Sequence, residues 1–97
     1  PQAWMDFLFG PQARFMMAEL ILEPGAETPV EQDPEADPAY QKGLFVAKGE
    51  LICTVGERCF VLRKGDSLLF ESRLPHSFAN KAPRRAHCVV VQYPPHI

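Results

Sequence analysis

The chain has 97 residues, 46% of them hydrophobic, and a formal net charge of −2. That suits one compact domain over residues 1–97 and excludes two independent ones, and no stretch approaches the roughly 20 apolar residues of a membrane-spanning helix. The 10 basic residues are scattered singly apart from Arg63-Lys64 and Arg84-Arg85, so neither the clustered stripe of a nucleic-acid surface nor a membrane partner is expected.

Ten prolines and six glycines cut the chain into short segments, which favours an all-β sandwich or barrel over a helical bundle. Trp4 to Phe9 is apolar-rich, is stopped by Gly10-Pro11, and reads as an edge strand. Arg14 to Leu22 follows, with Met16, Ala18, Leu20 and Leu22 on one face and Phe15, Met17, Glu19 and Ile21 on the other. Both faces are largely apolar, which asks for cover on both sides: the core on one, a second copy of the chain on the other. Glu23-Pro24-Gly25 ends that strand. The polar stretch Ala26 to Ala39, with Pro29, Pro34 and Pro38, exceeds the usual loop of about 4–6 residues. It reads equally as a lid over a site or as disorder, with room for a short strand around Thr28 to Glu31. Charge is uneven here: six acids and no base lie between Glu23 and Asp37, whereas nine bases face four acids from Ala39 onward.

Gly43 to Ala47 and Glu50 to Val55 read as strands around a turn at Lys48-Gly49, and Glu57 to Leu62 returns from a hairpin at Gly56-Glu57. That register sets Leu51 against Leu62, Ile52 against Val61 and Glu50 against Arg63. It also sets Cys53 opposite Phe60 and Cys59 opposite Thr54, on opposite faces of the ribbon. Cys53, Cys59 and Cys88 are odd in number and lack metal-binding spacing, so three reduced core or near-core thiols in a cytoplasmic protein are expected. Lys64-Gly65-Asp66 is a turn, since Gly tolerates positive φ and Asp bonds nearby backbone. Ser67 to Phe70 is the strand after it, and beyond Arg73-Leu74-Pro75 another strand carries His76, Phe78 and Asn80 on one face. Ala86 to Gln92 is the last strand.

Gly65, then His76 eleven residues on, then Asn80 four further, have the spacing of the second motif of cupins. The run Gly65-Asp66-Ser67-Leu68, the run Leu74-Pro75-His76 with Phe78 and Asn80, and the final strand closed by Tyr93-Pro94-Pro95 resemble the C-terminal cupin domain of XRE-type helix-turn-helix transcriptional regulators. The resemblance covers about Glu19 to Pro95. It implies a small antiparallel β-barrel, the double-stranded β-helix or jelly roll. A homodimer is expected from the strands that are apolar on both faces. The start at Pro1 suggests either processing or excision from a longer protein, and the resemblance implies that the missing piece is a DNA-binding domain.

In metal-binding cupins the first motif supplies two histidines and a glutamate, and the second motif a further histidine. Counted from Gly25, the histidine positions fall here on Glu31 and Asp33; counted back from Gly49, the glutamate position falls on Lys42. Of that set only His76 is present. An ammonium offers no lone pair, and one imidazole with two loop carboxylates is a poor catalytic metal site. No cofactor and no catalytic residue are therefore expected. Any divalent metal would have to use His76, Glu31 and Asp33.

What remains is a barrel mouth with candidate ligand-binding residues His76, Lys42, Phe78, Gln41 and Arg73. Lys42 and His76 favour an anionic group such as a carboxylate, and Phe78 forms an apolar wall. For Lys42 the competing reading is an internal salt bridge to Glu31 or Asp33; for His76 it is a core histidine bonded to a backbone carbonyl. Asn80 is expected to brace the following turn. The function expected is a small-molecule-sensing, dimerising domain of a transcriptional regulator. Its rivals are a stand-alone metal-dependent cupin enzyme and a purely structural dimerisation module, whose barrel would be filled by Met16, Leu20, Leu44 and Phe78.

Overall fold

In the computed structural model, which describes residues 2–7, 15–32 and 40–93, all regular structure is strand. The elements are β1 (Ala3–Phe7), β2 (Met16–Leu22), β3 (Gln41–Lys48), β4 (Glu50–Val55), β5 (Arg58–Arg63), β6 (Ser67–Glu71), β7 (His76–Ala79) and β8 (Ala86–Tyr93). They form a five-stranded sheet in the order β1-β2-β8-β3-β6 and a three-stranded sheet in the order β5-β4-β7. Every pairing is antiparallel. The all-β antiparallel architecture is thus as expected, built as two facing sheets in jelly-roll fashion.

Period-2 alternation decides which side chains face inward. Met16, Ala18, Leu20 and Leu22 of β2, Leu44 and Val46 of β3, and Cys88 and Val90 of β8 are buried from the larger sheet. Leu51 and Cys53 of β4, Leu62 of β5 and Phe78 of β7 join the same apolar cluster from the smaller one. The hairpin register is the one the Gly56-Glu57 turn dictates, with Glu50 opposite Arg63 and Cys53 opposite Phe60. The strand bounds differ slightly from expectation: β3 begins at Gln41, two residues early, and β5 spans Arg58–Arg63. Leu8, Phe9 and Arg14 lie outside the described residues.

The chain passes from one sheet to the other between β3 and β4. Gly49 sits there with φ of +83°, and a Cβ on it would lie 2.6 Å from the Arg85 carbonyl oxygen, so glycine is required both by conformation and by space. Asn80, just past β7, is fully buried. Its side-chain amide donates to the Leu22 and Arg84 carbonyls at 2.9 and 2.7 Å, and its oxygen accepts from the Ala82 N–H at 3.0 Å, bracing the turn into β8 as anticipated.

Residues 26–31 are neither a free loop nor a regular strand. They lie along β7 through two isolated bridges, Glu27 to Ala79 and Glu31 to His76. The Thr28 N–H donates to the Phe78 carbonyl at 2.8 Å, and the Phe78 N–H donates to the Thr28 hydroxyl at 2.9 Å. A hydroxyl thus accepts where a strand carbonyl would, and Pro29 next to it has no N–H to continue a ladder. The short strand near Thr28 is therefore a strap, held by a few bonds.

The three cysteines are free. Cys53 and Cys88 are buried, and burial pushes both thiols up to about 12. Cys59 is exposed on β5, which corrects its expected near-core placement: outward alternation wins over the apolar character of the side chain.

Candidate functional site

The polar side chains Lys42, His76 and Gln92 are buried and lie together, at the place expected to form the barrel mouth, Lys42 opposite Gln92 in register and in contact with His76. Four strands of the larger sheet meet there in register, with Met16 opposite Gln92, Gln92 opposite Lys42, and Lys42 opposite Phe70. All four are buried. From the other sheet His76, the first residue of β7, points inward across the mouth. Its ring lies 5.0 Å from the Phe70 ring and 6.2 Å from that of Phe78, centroid to centroid.

Hydrogen bonds fix the state of the imidazole. Nδ1 lies 2.8 Å from the Leu74 carbonyl oxygen, which can only accept, so Nδ1 carries the proton. Nε2 then presents a lone pair, and the Lys42 ammonium donates to it at 2.9 Å. The same Lys42 Nζ lies 3.3 Å from Glu31 Oε2, which is 3.8 Å from His76 Nε2. Glu31 is brought there by the strap, whose backbone exchanges two 2.8 Å bonds with His76. Burial pushes the His76 pKa below its usual value; the Leu74 bond opposes this, the neighbouring Lys42 cation adds to it, and Glu31 works against it. A neutral imidazole is the state that lets Lys42 approach.

Of the residues expected at the mouth, the structure brings together His76, Lys42, Phe78 and Glu31. Gln41 and Arg73 stay outside. Gln41 alternates to the opposite face of β3 from Lys42 and is exposed, and Arg73 is exposed and pairs with Glu71 at 2.8 Å. Asp33 lies outside the described residues. Both competing readings of the polar pair describe real contacts: Lys42 does pair with Glu31, and His76 does bond a backbone carbonyl. Gln92 and Phe70 complete the mouth without standing out in the sequence. Gln92 carries the one available signal, a polar residue at an inward position of an apolar strand.

Among the described residues, which include His76 and Glu31 but not Asp33, the donors do not fit a divalent cation. Among the described residues no group of three or more His, Cys, Asp or Glu side chains comes together to hold one. The Lys42 nitrogen contacts both donors, Nε2 of His76 and Oε2 of Glu31, that a cation there would have to share.

Two facing antiparallel sheets, apolar within except for the buried polar group of Lys42, His76 and Gln92, define a small jelly-roll fold. Residues 18–92 match the family of cupin domains, and the chain belongs to that family. Solved structures of the same fold include the cupin domain of an XRE family transcriptional regulator from Enterobacter cloacae. It is 22% identical with a TM-score of 0.84, over 97% of this chain and 98% of that one. An HTH_3 family transcriptional regulator from Vibrio cholerae is 19% identical, with a TM-score of 0.80 over 97% of this chain and 52% of its own. A cupin-superfamily sugar phosphate isomerase from Silicibacter pomeroyi is 22% identical, with a TM-score of 0.71 over 86% of this chain and 52% of its own. No curated protein sequence matches the chain.

Proposed function

We propose that this domain is the ligand-sensing and dimerising cupin module of a cytoplasmic helix-turn-helix transcriptional regulator, and that it binds a carboxylate-bearing small molecule at the barrel mouth without a metal and without catalysis. The observation that carries the reading is the buried Lys42 ammonium, donating to a neutral His76 and facing a mouth whose strap supplies a carboxylate. In a water-poor site such a cation recognises an anionic oxygen more strongly than it would at the surface. The fold likeness to two regulators supports the regulatory setting. A screen of carboxylate metabolites by thermal shift tests it: stabilisation by at least one compound in the native domain, and none in Lys42→Gln, is expected. Stabilisation that survives Lys42→Gln would move the site elsewhere.

The second copy is proposed to cover the outer face of the larger sheet. Gly43, Phe45, Leu69, Val89 and Val91 line a hollow of about 250 Å³ there, and Leu69 is 67% exposed. An apolar hollow flanked by large exposed side chains is what an isologous partner fills. A purely structural dimerisation module is the second reading. It is favoured by the burial of Met16, Leu20, Leu44 and Phe78, which leaves a ligand the mouth rather than the depth of the barrel.

A further inference from the structure

We propose that the Glu31 carboxylate is a built-in occupant of the anion position, and that a ligand carboxylate binds by exchanging with it. This rests on the carboxylate-sensing reading above and specifies how that site is regulated. Glu31 Oε2 lies 3.3 Å from Lys42 Nζ, where an anionic oxygen facing that ammonium belongs, and 3.8 Å from His76 Nε2, whose lone pair is already taken by Lys42. The two halves of the ion pair differ in freedom: the Lys42 side chain is 7% exposed and that of Glu31 60%. Lys42 is fixed by its 2.9 Å bond to His76, whereas its 3.3 Å contact with Glu31 is longer than a tight charge-assisted bond. The member able to leave is therefore Glu31.

Departure does not require the strap to open. The Glu31 N–H and carbonyl stay bonded to His76 at 2.8 Å each, and rotation about the side-chain bonds suffices to swing the carboxylate into water. Exchange leaves the charge balance of the mouth unchanged, one carboxylate replacing another beside Lys42. A neutral ligand has no such compensation, since it would strand the ammonium. The site therefore selects anions, and its apparent affinity is set by competition with a tethered rival.

If Glu31 holds the position about nine-tenths of the time, apparent affinity is lowered about tenfold. The test uses acetate and benzoate as probes, followed by the His76 ring nitrogen resonances in the full chain. Both Glu31→Gln and Glu31→Ala should bind at least one probe about tenfold more tightly than the native chain, and Lys42→Gln should bind neither. In the native chain itself, the Glu31 carboxyl carbon resonance should move with the same midpoint as His76 Nε2. Native binding as tight as that of both Glu31 variants, abolished by Lys42→Gln, would overturn exchange while leaving the carboxylate reading intact. No response to either probe, in native and variant chains alike, would overturn both. An unmoved Glu31 resonance during native binding also overturns exchange, independently of how the variants fold.

Discussion

His76 faces Lys42, Glu31, Phe70 and Phe78, and its lowered pKa makes a signed statement about stability. In the unfolded chain the imidazole takes up a proton near its usual value of about 6.5, whereas the folded protein resists protonation until lower pH. The unfolded state therefore holds more protons in that interval, and stability falls as pH drops below about 6.5, levelling off once the folded value is passed. Melting curves taken downward from about pH 7.5 through the unfolded value of about 6.5 should show a loss for the native chain that is smaller in His76→Gln; equal slopes would contradict the neutral assignment. Asn80 gives a second residue-scale prediction. It is fully buried and makes three side-chain bonds, so Asn80→Ala should destabilise by about 2–4 kcal/mol in denaturant titration, because buried backbone groups lose their partners.

At the scale of elements, two glycines at turns share a positive φ and differ in surroundings. A Cβ at Gly65 meets nothing within 4 Å, whereas at Gly49 it meets the Arg85 carbonyl at 2.6 Å. Gly65→Ala should therefore show only the conformational cost of about 1–2 kcal/mol. Gly49→Ala should show that cost plus displacement of the start of β8, read as a clearly larger drop in melting temperature. Elements are legible in the sequence where information is local. The Gly56-Glu57 turn fixes the β4–β5 register by itself, and alternation from Pro75 phases His76, Phe78 and Asn80. The short strand near Thr28 is legible, but its attachment to β7 is not, because the bonds that make it a strap join residues some fifty positions apart and one of them uses a hydroxyl. Gln92 escapes for a related reason. Its place beside Lys42 depends on β8 inserting between β2 and β3, a crossover order that no local pattern encodes. Gln41 and Arg73 are near in sequence to Lys42 and Pro75, and nearness in sequence does not decide which face a strand residue takes.

For the whole molecule, the expected dimer and the hollow on the outer face of the larger sheet converge on one measurement. Sedimentation at tens of micromolar should give a dimer, since a standard-sized apolar interface associates at such concentrations. Leu69→Glu should give a folded monomer, because Leu69 is already exposed within the subunit and a buried carboxylate there would lack a partner. A native monomer would remove the second copy from the proposed function while leaving the mouth as described.

The distribution of sulfur has a practical outcome. Cys53 and Cys88 are buried, with thiols pushed up to about 12, so neither furnishes thiolate at neutral pH, while Cys59 is exposed. A maleimide should accordingly modify one thiol per native chain, on the edge strand of the smaller sheet, and all three after denaturation. The unsubstituted protein carries its own handle for a single fluorophore. The rate at which the second and third groups react is a clock for the opening of the core.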